Sequence, residues 1–377
     1  MHLYIDHISK IFDIIMVQFI NLLHIALGHK SELSQAPTND EWQRLFLIAK
    51  KQALLGITFY AIENLPAEQR PPRQLLLQWG MYAERIKERN TFLNSKVIEI
   101  SQKFLNDGFR NIILKGQGIA KYYEISNLGA YRTPGDIDIW FEGSRKEIAT
   151  YVRKVNPDCK VVYHHVDFPK IDSIDIEVHF TPSWMNSCFT NRKLQKFFDN
   201  HKEELFSRCT TTLEGIPTPS IEFDRVYILI HIYRHLFHEG IGLRQLMDYY
   251  FVLRQGFNEE EKRELIKVLQ SLKMLRFTGG IMWILQKVFG MEDKYLLTAP
   301  IESDGEFIFS EIMISGNLGL HDKRITRRRD ESSLSHGLRK VRRNFKFIWN
   351  YPSEVLWSPL FKIWHLLWRL KFNKSLN

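Results

Sequence analysis

"TPGDIDIWF", residues 133–141, alternates polar and apolar residues, as a half-buried strand does. On a strand, residues two apart face the same way, so Asp136 and Asp138 project together while Ile137 and Ile139 face the core. Pro134 and Gly135 place the acids at the strand's start, beside a loop. Two carboxylates this close repel each other and raise one pKa unless a cation lies between them. A divalent metal resolves the conflict, and Mg²⁺ favours one or two carboxylates plus phosphate oxygens.

Two flanking segments give the acids a context. Upstream, "NIILKGQG" (111–118) reads as a short apolar strand running into Lys115-Gly116-Gln117-Gly118. A strand, a glycine turn and a helix start leave free backbone N–H groups where a phosphate can bind, and Lys115 adds charge. Downstream, "SIDIEVHF" (173–180) is a second alternating strand with Asp175, Glu177 and His179 on one face. If it neighbours the first, one of its acids completes a three-carboxylate metal site. Glu177 is the better choice because it sits mid-strand, where an unpaired buried charge is very costly. Solvated strand-edge acids, an exposed salt bridge for Glu177 and surface charge for Lys115 and Arg132 are the competing readings. His179 reads equally as a substrate contact, as the partner of an acid, or as a packed strand histidine.

Working outward, residues 1–108 read as helical, ending in a long helix from about Arg73 to Leu105 whose Leu93, Val97, Ile100 and Phe104 form one buried face. Residues 109–182 form a small α/β unit of about four strands and two helices. A helical region follows over 183–310, loop-like after residue 292. Residues 311–377 form a basic, aromatic-rich tail. The fold class is α+β: a small mixed sheet flanked by helical regions. The N-terminal apolar run is interrupted by Asp6, His7, Lys10 and Asp13 and reads as a core helix, too short and polar to span a bilayer.

The composition of the 377 residues, 44% hydrophobic and 25% charged, excludes global disorder. Cys159, Cys188 and Cys209 match no metal-ligand spacing, and so sparse a set fits a reducing cytosol. The expected location is therefore cytoplasmic. The formal charge of +9 is concentrated at one end: residues 323–377 carry fourteen Lys/Arg against three Asp/Glu, which leaves the first 322 residues at −2. A basic tail suits an acidic partner, either nucleic acid or anionic lipid, and equally a plain helix packed on the core.

His231, His235 and His238 step along one helix face, but no HExxH pattern accompanies them. The adjacent His164 and His165 point to opposite faces if both lie in a strand, which makes them a poor joint ligand. Arg244 and Asp248, four apart on one helix, face the same way. A salt bridge between them is the simple reading.

Together, "LKG…YRTPGDIDIWF…IEVHF" resembles a large family of bacterial uncharacterised nucleotidyltransferases within the polymerase-beta-like superfamily, over roughly residues 40–255. The resemblance implies that Asp136, Asp138 and Glu177 hold Mg²⁺ (or Mn²⁺) and act in catalysis. It further implies that Lys115, Gly116, Gln117 and Arg132 meet an NTP, and that His179, Arg244 and Asp248 support the site, with Asp248 ordering Arg244 toward the nucleotide or acceptor. The implied reaction moves an NMP to a hydroxyl of an acceptor the sequence does not identify and releases pyrophosphate. Two alternatives stand beside it. One is an RNA- or tRNA-directed enzyme docking through the tail; the other is a non-catalytic binding protein that kept the fold. Gln117 departs from the superfamily's usual Gly-Ser or Gly-Gly loop, so a hydroxyl that often touches the triphosphate is missing. The oligomeric state is not legible.

Overall fold

The computed structural model describes residues 2–125, 127–207, 210–212, 215–326 and 331–376, with backbone alone for 2–13, 333 and 334. Cys209 and the side chains of Asp6, His7, Lys10 and Asp13 lie outside the described residues.

Four helices come first: α1 (His2–Ala26), α2 (Asn39–Lys51), α3 (Leu55–Glu63) and α4 (Arg73–Asn106). The sheet unit then runs β1 (Asn111–Ile113), α5 (Gln117–Ala120), β2 (Ile137–Phe141), α6 (Arg145–Val155), β3 (His165–Ile171) and β4 (Ile174–His179). Its strand order is β1-β2-β4-β3. β2 and β4 are parallel, while β1 and β3 pair antiparallel at the two edges. Helix α7 (Cys188–Ser207) and the short hairpin β5 (Thr210–Thr211)–β6 (Pro217–Thr218) lead into a second helical block. That block contains α8 (Ile221–His238), α9 (Leu243–Arg254), α10 (Glu259–Ser271), α11 (Leu275–Phe289) and α12 (Glu302–Ser315). Two further helices, α13 (Ser333–Asn344) and α14 (Pro352–Leu376), close the chain. The α+β architecture expected from the sequence is present.

Alternation along β2 divides the two faces of the sheet. Ile137, Ile139 and Phe141 join Ile176 and Val178 in a core with Leu93, Val97, Ile100 and Phe104 of α4 and Ile148 and Val152 of α6. Helix α6 starts just past β2 because Ser144 and Glu147 form a capping box. The opposite face carries Asp138 and Trp140. Trp140 packs against Phe206 of α7 and Phe223 of α8, so helices cover this end of the face. A second, larger core joins the helices before and after the sheet: Phe19, Trp42 and Trp79 belong to the same cluster as Tyr249, Phe277 and Phe289.

Two local expectations fail. Residues 302–310, read as loop, belong to α12. Packing decides this: Gly305 is so close to Trp283 that a Cβ there would lie 2.5 Å from its ring, and buried Asp304 accepts from Arg276, Asn350 and Tyr351. The helix that starts after the glycine turn, one of the two helices expected in this unit, closes after a single turn, α5. Tyr122 and Tyr123 are drawn inward instead, donating to Asp224 at 3.0 Å and Asp248 at 2.7 Å.

Candidate active site

The parallel register of β2 and β4 sets Asp138 directly beside Glu177. Strand β3 adds Asp167 opposite Glu177 and His165 opposite His179. A polar row therefore crosses the open face of the sheet and forms the floor of a cleft of about 810 Å³. Helices α8 and α9 wall the cleft with His231, Arg234, His235 and Arg244.

At one end Lys115 Nζ lies 2.9 Å from Asp138 and 3.6 Å from Asp136. The ammonium occupies the position between the aspartates where the sequence called for a cation. Repulsion from Asp138 pushes the Asp136 carboxyl up, against the pull of Lys115. Burial opposes ionisation of Asp138, but Lys115 and the His179 hydrogen bond outweigh it and hold its pKa low. Burial likewise works against the Lys115 charge, and Asp136, Asp138 and Glu177 together overcome it, so its pKa is raised.

His179 Nε2 lies 2.9 Å from Asp138 and 3.5 Å from Glu177. Asp138, Glu177 and His179 therefore present ligand atoms all within 4.8 Å of one another. Asp136 reaches this group through Lys115, and Asp175 is turned outward to Lys170 at 2.8 Å. His165 Nδ1 lies 3.0 Å from Glu177, and its Nε2 lies 3.3 Å from Asp167. Burial opposes its charge, yet these two carboxylates raise its pKa to about 9. Glu177 in turn is costly to bury, but His165 and His179 hold it well below the usual carboxylate range.

The glycine turn keeps the strand and the acids close. Gly116 has φ +63°, a backbone shape that favours glycine, and it backs onto the Asp136 carbonyl. A Cβ on Gly118 would lie 2.9 Å from the Ile113 carbonyl oxygen. Gln117 points away from the cleft: its amide donates to Asn90 at 3.2 Å and Asn94 at 3.0 Å on α4. The departure from the usual loop is therefore a tether to the long helix.

Arg132 and Asp248 form a buried bidentate pair, with bonds of 2.6 and 2.7 Å. Asp248 is engaged by Arg132 and Tyr123, and the simple Arg244–Asp248 pairing read from their spacing does not form. Arg244 instead donates to the Thr133 carbonyl at 2.9 Å and approaches Gly135, at the entry to β2. The spacing on one helix allowed Arg244 as the partner, but the chain path before β2 brings Arg132 to the carboxylate.

Three contributors were not legible as site residues. Arg234 stacks over Trp184, 4.1 Å from the ring centroid, and meets His164 at 3.0 Å and His235 at 3.2 Å. Among the described residues it has no carboxylate at ion-pair distance, and burial lowers its pKa. A guanidinium held this way leaves a cleft that favours an anion. His164 and His165 do converge, 2.9 Å apart, contrary to the alternating-strand expectation. The reason is that β3 begins at His165, so His164 lies ahead of the ladder and is not bound by its alternation. Burial keeps the His164 imidazole far below its ordinary pKa. The His231 and His235 rings lie tilted with centroids 4.2 Å apart on the cleft wall, and burial lowers the pKa of both, while His238 packs against Trp184.

The site is thus a polar cleft in which strand carboxylates gather opposite helix-borne cations. The model of the family described as uncharacterised nucleotidyltransferase matches residues 38–290, about two thirds of the chain. The chain belongs to that family. No curated protein and no solved structure matches it.

Proposed function

We propose that this protein transfers a nucleoside monophosphate from an NTP to a hydroxyl acceptor, using Asp136, Asp138 and Glu177. The observation that carries the reading is the Lys115 ammonium between Asp136 and Asp138, with Glu177 in register beside them. The oxygen donors suit a hard divalent cation, Mg²⁺ or Mn²⁺, held by Asp138 and Glu177 with Asp136 at the cleft side. Such an ion, when bound, would offset charge on the phosphate oxygens. His179 fits the role of fixing Asp138 and Glu177 by hydrogen bonding to both.

The cleft's cations supply the rest. Lys115, Arg244 and Arg234 line the space in front of the carboxylates and favour a polyphosphate there. Glu177, in register beside Asp138 and facing the cleft, takes the role of acceptor for the attacking hydroxyl's proton. The acceptor oxygen bonds to the α-phosphorus as the bond to the bridging oxygen breaks, and pyrophosphate leaves with that electron pair. Arg132 and Asp248 serve this chemistry as positioning residues, by fixing the loop that delivers Asp136. Gly116 lets the loop turn beneath that aspartate, and Gln117 anchors it.

The test is transfer from α-phosphate-labelled NTPs into protein or RNA, read with mass spectrometry of both, for the wild type and for Asp138→Ala. Label or a mass increment that requires Mg²⁺ or Mn²⁺ and disappears in the variant is expected. A wild type that binds no metal–NTP and labels nothing removes the reading.

A further inference from the structure

Helix α14 has two apolar faces. The inner one packs on the sheet unit: Phe361 is buried, Trp368 and Phe372 join the sheet's core, and His365 Nε2 accepts from the Tyr163 backbone N–H at 3.1 Å. Arg145 adds cation–π contacts to Tyr163 and Trp368. This face settles the helix's orientation. The outer face then carries Leu356, Leu360, Ile363, Leu367 and Leu370, at alternating spacings of four and three, all between 55% and 61% exposed. Trp364 and Leu366 flank the stripe, and Trp349 just before the helix is 86% exposed. Soluble monomers rarely present so continuous an apolar stripe without a use for it.

Charge identifies the occupant. Between residues 355 and 377 there are four cations, Lys362, Arg369, Lys371 and Lys374, and no acid. Neighbouring α13 adds Lys340 and Arg342. A second copy of the helix paired along this stripe would bring like charges together, with no acid to offset them. An RNA would be served by the cations and would leave the leucines in water. An apolar stripe edged by cations and tryptophan fits the headgroup boundary of an anionic bilayer, with the helix lying in the surface plane. Among the described residues no helix is long and apolar enough to cross a membrane, which agrees with a helix that lies on one.

We propose that the outer face of α14 docks the protein on anionic phospholipid membranes. The test uses the full chain with phosphatidylcholine vesicles, with and without phosphatidylglycerol, in co-sedimentation. The wild type should partition onto the anionic vesicles and be released as salt is raised. Leu360→Glu/Leu367→Glu alters only exposed side chains, so its melting temperature should hold while its partition falls at least about tenfold. Lys371→Glu/Lys374→Glu should lose the preference for phosphatidylglycerol. Absence of wild-type binding at low salt overturns the proposal, as does equal binding by the leucine variant. So does a wild type that is dimeric, becomes monomeric in the leucine variant and ignores vesicles. Retention on single-stranded RNA with no retention on vesicles overturns it as well.

Discussion

Replacing Asp248 by leucine gives the sharpest test of how the loop before β2 is held. Asp248 accepts two bonds from Arg132 and one from the Tyr123 hydroxyl, and all of these atoms are buried. Arg132 itself is only 3% exposed. Removing the carboxylate leaves an uncompensated guanidinium and an orphaned hydroxyl, and breaking a buried pair in this way costs about 3–5 kcal/mol. At roughly 1.3 °C per kcal/mol in a chain of 377 residues, the melting temperature should fall by about 4–7 °C. Arg132→Met should cost a similar amount, because it strands the aspartate. The double variant Arg132→Met/Asp248→Leu should recover most of the loss, since an apolar pair of similar volume leaves no buried charge unmatched. Thermal and urea denaturation of the four proteins closes the cycle. A loss below about 1 kcal/mol in either single variant would refute the reasoning, and so would additive losses in the double. If Arg132→Met kept full stability but lost NTP affinity, Arg132 would be a ligand contact and not the anchor of the loop.

Lys115→Met should abolish labelling and enlarge the rise in melting temperature on adding Mg²⁺, because the ion alone then relieves the repulsion between Asp136 and Asp138; equal rises in both proteins would place the ion elsewhere. Gln117→Ala should cost about 1–2 kcal/mol in denaturation by removing two hydrogen bonds to α4, while Gln117→Ser, which restores the common loop residue, should not rescue that loss. Glu354 is buried, and burial raises its pKa to about 7 against one backbone hydrogen bond from Asn186. The folded chain then binds this proton more tightly than the unfolded chain, so stability should decline between about pH 4.5 and 7, by roughly 3 kcal/mol in all. Glu354→Gln should remove that decline and be more stable than the wild type at pH 8, with little difference near pH 4.5. Stability-versus-pH curves that run parallel would exclude the effect.

The strand pattern, and through it the direction of the acids, was legible before any folding. Alternation in "DIDIWF" and "IDIEVHF" forces Asp138 and Glu177 onto faces opposite the isoleucines and valines of the sheet's core. The 3–4 spacing of Leu93, Val97, Ile100 and Phe104 fixes which side of α4 meets that core. Both inferences work because side-chain direction follows from local backbone geometry. The pairing of β2 with β4 in parallel, which brings Asp138 beside Glu177, is a long-range choice that no local period encodes.

The partners of the charged residues were also set by long-range packing. The spacing of Arg244 and Asp248 suggested one pair, but a buried carboxylate takes the donor that the chain path brings nearest, and that donor is Arg132. Arg234, His164 and His165 carried no motif, and only the folding of α8 over the sheet brings them to one cleft. Gln117 looked like a missing hydroxyl in sequence, while its amide in the folded chain is bonded to α4. The tail illustrates the same division. Composition revealed that it is basic and apolar, and packing on Tyr163 and Arg145 decided which of its two apolar faces is left outward. Local periodicity fixes faces, whereas the assignment of partners depends on distances between segments far apart in the chain, which only the folded molecule sets.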